Sequence, residues 1–366
     1  MVLEIGAQVS VLQGLWLAVV ALLWVGFFFL EGFDFGVGML IPFLGRDDKE
    51  RRVVVNTIGP LWDGNEVWLV TAAGGMLAAF PGWYATLFSA LYLPLLLVLV
   101  GLILRGVAFE YRGKSPSLTW RNRWDWCAAT GSFLVPLVFG IGFANLLIGL
   151  PVTTTTTAIG SAPLYGGSLL GLFSPLALVG GLLFVTLFLT HGAVFIAFKT
   201  KGEIHTRAEA LATKSGLVTL VLLVVFVVWG NLLKVLPGQL PGMRTGAWAA
   251  GAVSVLCVAA AVWFARRGRE GLAFLGTGIG VIAVVVMIFL HLFPGLGFDS
   301  TAVVAAGGQP LDVTTAASSP RTLTILTVAA GVTVPVVVGY QIWSYRVFRR
   351  RLSVDTIPDD GLVSAT

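Results

Sequence analysis

Apolar residues run in long blocks along this chain, and polar residues gather in the short gaps between them. A helix crosses a bilayer in about 20 apolar residues. Nine such blocks can be placed: Val11–Leu40, Ile58–Phe80, Tyr84–Phe109, Trp124–Ile148, Leu169–Phe198, Lys214–Leu236, Ala247–Ala265, Leu272–Phe293 and Thr322–Tyr345. The pattern predicts an all-α polytopic membrane protein with nine transmembrane helices. Residues 1–352 then form a single nine-helix transmembrane domain with no internal repeat, and residues 353–366 a disordered cytoplasmic tail. The N-terminus has no basic n-region, so the first block reads as a retained span, not a cleaved signal.

Composition agrees. Apolar residues make up 57% of the 366, and charged residues only 11%, far from a soluble globular balance. The mean hydropathy is +0.92. The placement of charge says more than the net value of +5. Of the 23 Lys and Arg residues, 19 fall in the tail or in the loops after odd-numbered spans. These are Arg46, Lys49, Arg51, Arg52; Arg112, Lys114, Arg121, Arg123; Lys199, Lys201, Arg207, Lys214; Arg266, Arg267, Arg269; and Arg346, Arg349, Arg350, Arg351. Only Lys234, Arg244 and Arg321 fall on the opposite side, and Arg105 lies inside the third span. The positive-inside rule makes the basic side cytoplasmic, with the N-terminus outside and the C-terminus inside. The outer loops, including Thr153–Thr157 and the long segment Gly295–Pro320, read as flexible surface.

Orientation gives every intramembrane polar residue a depth. Glu31 and Asp34, in "LEGFDFGVGML", sit in the inner half of the first span; Asp63 and Glu66, in "GPLWDGNEVW", sit at the same level on the second. Arg105 and Glu110 close the third span at its inner end. A charged side chain at the bilayer centre costs about 2.5–3.5 kcal/mol even on the gentlest scale, so such residues are functional candidates. At about 100° per residue, Glu31 and Asp34 share one helical face, and Asp63 and Glu66 share another. Gly32 and Gly36 form a small-xxx-small pair on a different face, suited to close helix packing. Four acids against one arginine leave an excess of negative charge that must be hydrated, protonated or paired elsewhere, which points to a proton or ion path. Buried ion pairing alone is the structural alternative.

Other chemistry is sparse. The histidines are His191, His205 and His291. His205 lies in an inner loop and reads as solvated. His191 and His291 lie at opposite depths and cannot clamp one haem from both sides; Met287 and His291 share one helix face and fail for the same reason. Each histidine reads as a satisfied core or surface residue, and a ligand role stays open for His191 alone. Cys127 and Cys257 read as small buried hydrophobes. No phosphate loop, zinc spacing or nucleophile triad occurs. Trp62 and Trp68 flank the second-span acids and can shield them from lipid.

The motifs "LEGFDFGVGML", "LGRDDKERRVVVNTIGPLWDGNEVWLVTAAGGMLAAFP", "GLILRGVAFEYRGK" and "RNRWDWCAATGSF" resemble subunit II of the cytochrome bd quinol oxidases, as do "GFANLL", "THGAVFIAFKTKGEIHTRA" and "LTILTVAAGVTVPVVVGYQIWSYRVF". The resemblance covers nearly the whole chain in order. It implies two four-helix bundles plus one extra helix, in a bacterial cytoplasmic membrane. It also implies a heterodimer with a homologous subunit I carrying two b-type haems and one d-type haem. This chain would then bind no cofactor alone and hold no catalytic residue or metal. A bound quinone and a small third subunit stay open, and no nucleic acid is implied. The complex oxidises quinol, reduces dioxygen to water and draws its protons from the cytoplasm.

By the same resemblance, Asp63 matches a family carboxylate near the haem-side end of a proton path. Glu110 and Lys114 match an acid and a lysine at its mouth, Glu110 standing where some relatives carry aspartate. Asp34 and Arg105 match positions that organise the bundle. As buried acids, Glu31, Asp34 and Glu66 are also expected on the proton path; Glu66 and His191 match positions where relatives also carry glutamine. Trp62 and Asn65 are expected as structural partners of Arg105. A proton-coupled secondary transporter using the same carboxylates is the alternative, although no paired helix interruptions of the transporter kind stand out.

Overall fold

The computed structural model describes residues 9–157, 160–233 and 241–357. Lys234 and the tail from residue 358 onward, including Pro358–Asp360, lie outside them.

Helix α1 (Val11–Leu44) opens on a capping box between Ser10 and Gln13. It is followed by the short surface helix α2 (Asp48–Asn56), capped by Asp47, and by α3 (Trp62–Ala79). Next come α4 (Pro81–Ala90), α5 (Tyr92–Tyr111) and α6 (Leu118–Ile148). Helices α7 (Pro175–Lys199), α8 (Glu203–Leu232), α9 (Pro241–Ala265) and α10 (Glu270–Leu292) form a second series. Two short helices, α11 (Thr301–Ala305) and α12 (Val313–Ala316), precede the long α13 (Pro320–Val347). Serine caps followed by proline in the first turn start α7 (Ser174, Pro175) and α13 (Ser319, Pro320), the arrangement expected where a helix must begin abruptly.

Among the described residues, eight helices are long and apolar enough to cross a membrane. The remaining expected span is α3, whose 18 residues include Asp63 and Glu66. Helix α1 packs on α3, α6 and α7, and α5 packs on α6. Helices α7 to α10 pack in a ring: α7 on α8, α8 on α9, α9 on α10 and α10 on α7. Helix α13 touches only α1 and α3 to any extent and buries a single residue fully, Leu323.

Small residues set the closest crossings. A Cβ on Gly36 would fall 2.0 Å from the Phe188 carbonyl oxygen and 2.8 Å from Gly192 Cα, while one on Gly32 would meet the Phe188 ring. The glycine face of α1 is therefore the face that meets α7. Gly140 and Gly180 do the same between α6 and α7.

Several expectations are corrected. The third span is interrupted at Leu91, so Tyr84–Phe109 is the end of α4 and most of α5. Pro94 explains the break: it has no N–H for the Ala90 carbonyl, and its ring clashes there. Helices α6 and α8 start earlier than expected, which makes His205, Arg207 and Lys214 helical. The described parts of two loops expected on the outer side, 150–165 and 295–320, hold regular structure. β1 (Leu150–Thr157) pairs antiparallel with β2 (Gly160–Tyr165), matching Val152 with Tyr165. It also pairs in parallel with β3 (Phe298–Asp299), giving the order β2-β1-β3. Threonine's branched Cβ favours this pleated conformation. The 295–320 segment buries Leu296, Phe298, Val313 and Ala316 against the bundle. Its Ser318 donates from N to the Ala79 carbonyl (2.8 Å) and from Oγ to the Ala78 carbonyl (2.7 Å), satisfying the end of α3. The tail after Leu352 forms a 3₁₀ turn at Val354–Thr356, with Ile357 buried in the inner core, so its described part is ordered.

Candidate functional site

The buried face of α3 is the stripe Asn65, Ala72, Met76 and Ala79, and that of α5 is Val98, Gly101, Leu102, Arg105 and Ala108. Both stripes follow helical spacing. They bring Asn65 and Arg105 to the level of Glu31 and Asp34 on α1. Glu31, Asp34, Asn65 and Arg105 are all inaccessible to solvent, at 0% exposure.

Arg105 Nη1 pairs with Glu31 Oε1 and lies 3.5 Å from Glu66 Oε2. Its guanidinium stacks over Phe35 at 4.8 Å, Phe109 at 5.4 Å and Trp62 at 5.8 Å. The aromatic faces hold the cation where the acids need it. Asn65 Nδ2 donates to Asp34 Oδ2 at 2.7 Å. The Asn65 carbonyl accepts from Gln341 Nε2 at 2.7 Å and from the Tyr345 hydroxyl at 3.0 Å. Glu31 and Asp34 lie three residues apart on α1, both fully buried. Like-charged carboxylates on one buried helix face repel, and a proton held on one of them relieves the repulsion, so the pair is a place to hold one. Glu31 Oε2, Asp34 Oδ1, Glu66 Oε2 and two Arg105 nitrogens have no hydrogen-bond partner among the described residues. Buried polar atoms in this state call for ordered water.

The grouping of acids read from the sequence is thus partly corrected. Glu31, Asp34, Glu66 and Arg105 meet, with Asn65 and Trp62 beside them. Asp63, Glu110 and Lys114 do not; their side chains lie exposed on the outer surface of α3, α5 and the turn after it. Asp63 precedes Asn65 by two residues, or about 200° of helix, and Glu110 follows Arg105 by five, or about 140°. Both therefore turn away when Asn65 and Arg105 turn inward.

His191, on α7, packs against another face of α1. Its Nδ1 is 2.7 Å from Thr277 Oγ1, its Nε2 is 3.3 Å from the Phe29 carbonyl, and its ring stacks on Phe274. His291 Nε2 is 3.0 Å from Asn231 Oδ1. His205 is not a solvated loop residue: its Nδ1 is bonded to the Ala197 carbonyl at 2.8 Å and its Nε2 faces Glu270 at 3.3 Å. Cys127 and Cys257 are free and half-buried.

Three features escaped the sequence reading. Gln341 and Tyr345 reach the acid layer from α13, across some 280 residues that no local pattern bridges. At the polar end, Arg112 bonds Asp125 (2.5 Å) and Asp48 (2.8 Å), Arg121 bonds Asp48 (2.5 Å), and Arg51 bonds Asp125 (3.1 Å). Asp125 lies in "RNRWDW", the one local hint. The third is an apolar cavity of about 470 Å³, lined among others by Trp24, Met76, Trp83, Leu95, Phe143 and Phe289. Trp83 is buried and its Nε1–H has no acceptor.

Comparison with known proteins places this architecture. Residues 12–348 match the family model for cytochrome bd terminal oxidase subunit II. The cytochrome bd ubiquinol oxidase subunit 2 of Bacillus subtilis is 41% identical over 350 residues, covering 93% of this chain and 97% of that protein. The cytochrome bd-I ubiquinol oxidase subunit 2 of Escherichia coli is 35% identical over 362 residues, covering 92% and 94%. The fold is like that in the bd oxidase structure from Geobacillus thermodenitrificans, with a TM-score of 0.72 at 19% identity, over 93% of this chain and 99% of that one. With the family model spanning almost every helix and both relatives aligned nearly end to end, the chain belongs to the cytochrome bd terminal oxidase subunit II family.

Proposed function

We propose that this chain is the non-catalytic partner of a haem-bearing subunit I in a quinol-oxidising, dioxygen-reducing complex of a bacterial cytoplasmic membrane, and that its acid layer helps carry protons. Nine spans, the N-terminus outside and the C-terminus inside, complete the reading, with α1, α3, α5 and α6 as one bundle, α7 to α10 as the other, and α13 as the extra helix. The observation that carries it is the excess of buried carboxylate around Arg105 in a chain of this family. Reducing dioxygen to water consumes protons as well as electrons, and carboxyl groups that can hold a proton at low cost suit that supply. Glu110 and Lys114 would collect protons at the chain surface, and Asp63 would stand toward the haem-side end of the path. Glu66, half-buried and close to Arg105, would pass them to Glu31 and Asp34.

Haem would supply electron transfer and oxygen chemistry on subunit I; the histidines here fit that assignment poorly as axial ligands, since His191 uses both ring nitrogens within the fold. A quinone fits better. The apolar cavity matches an isoprenoid quinone in character, and the unpartnered Trp83 N–H suits a quinone carbonyl. The transporter alternative gains nothing from the family match.

The test is Asp63→Asn in the assembled complex. Oxygen consumption should slow while haem content stays normal. Unchanged turnover removes Asp63 from the path, and loss of haem makes it structural.

A further inference from the structure

The acid layer has a support that comes from outside its own bundle. Asn65 is one donor and one acceptor of nearly the same shape, so its two ends can exchange places unless neighbours choose. Here two donors choose. Gln341 Nε2 and the Tyr345 hydroxyl, one turn apart on α13, both donate to Asn65 Oδ1. With the carbonyl held there, the amide N–H₂ must face Asp34 Oδ2, where it donates at 2.7 Å.

Helix α13 has little else to do at this level. It buries only Leu323 fully, near its opposite end, where Trp16 Nε1 donates to the Leu323 carbonyl at 3.1 Å and to Thr327 Oγ1 at 2.9 Å. Just beyond Tyr345 the chain is strapped to α7. Lys199 Nζ donates to the Phe348 carbonyl, Leu352 N to the Lys199 carbonyl at 2.8 Å, and Lys201 N to the Leu352 carbonyl at 3.0 Å. The strap fixes where Gln341 and Tyr345 stand.

We propose that Gln341 and Tyr345 are positioning residues for the buried carboxylate pair. By holding the Asn65 carbonyl they make Asp34 Oδ2 a permanent acceptor. The proton of the pair is then left to Asp34 Oδ1 and to Glu31, which pairs with Arg105. This rests on the proton-carrying reading above. The titratable and charged groups around Asp34 are Glu31 on α1, Glu66 on α3, Arg105 on α5 and Tyr345 on α13; His191 on α7 faces a different side of α1.

The experiment uses the assembled complex, with oxygen consumption measured against pH and the protonated-carboxyl C=O band read by infrared difference spectroscopy. Asp34→Asn identifies the band. Tyr345→Phe and Gln341→Leu are each expected to move the band slightly. Together they should exceed the sum of the singles, because either donor alone still holds the amide. The double variant should displace the acid-layer limb of the pH profile by about one unit to higher pH, since Asp34 loses a donor that favours its anion. A haem-loaded double variant with wild-type band and profile, when Asp34→Asn alters both, overturns the proposal. If the double variant loses haem, the two single variants decide together: a shifted band in either supports the proposal, and an unmoved band in both overturns it. If Asp34→Asn itself changes neither readout, it is the proton-carrying reading that fails.

Discussion

Arg105 and Glu31 form an ion pair whose two side chains are both fully buried. Arg105 has a second acid, Glu66, at 3.5 Å and three aromatic rings around its guanidinium. Removing one partner of a buried pair leaves an uncompensated charge, at a cost of about 3–5 kcal/mol. Arg105→Met should therefore lower the thermal unfolding temperature and the yield of assembled complex sharply. Arg105→Lys should recover only part of the loss, because a point charge cannot serve two acids and three ring faces. Equal stability of Arg105→Met and wild type in detergent would show that the pair is not holding the bundle.

The α1–α7 crossing makes a steric prediction. Gly36→Ala places a methyl group against the Phe188 carbonyl and Gly192. Overpacking of this kind costs about 1–3 kcal/mol. Gly14→Ala on the same helix meets nothing within 4 Å and serves as the control. Thermal melts of the two variants should separate clearly.

At the polar end, Glu50 gives a pH signature. Burial raises its carboxyl, but the hydrogen bond from Arg207 at 2.6 Å, with Arg46 adding to it, outweighs burial and holds it below the ordinary 4.5. A depressed acid contributes stability above its unfolded value, and that contribution is lost as pH falls through the folded one. Glu50→Gln should then be less stable than wild type near neutral pH, by on the order of 1 kcal/mol. The gap should close below about pH 4. Melting curves across pH 3–8 check it, and a gap that persists at the acid end rules the pair out as its source.

Trp83 supplies the ligand prediction. Trp83→Phe keeps the wall of the cavity and removes the N–H that lacks an acceptor. Quinone extracted from the purified complex should fall relative to haem if that N–H binds a carbonyl. An unchanged ratio places any quinone elsewhere.

Sequence alone determined the all-helical, apolar class and most of the long apolar helices, because bilayer thickness acts on residue type and spacing, and its motifs carried the family. The meeting of Glu31 with Arg105 also followed from depth. Azimuth did not. Which faces of α3 and α5 turn inward depends on packing around α1, and that choice put Asn65 and Arg105 inside while leaving Asp63 and Glu110 outside. The break at Leu91, the sheet over the outer end and the reach of Tyr345 back to Asn65 were decided by tertiary contacts alone. Each depends on groups that are distant in the chain and adjacent only after the helices have packed.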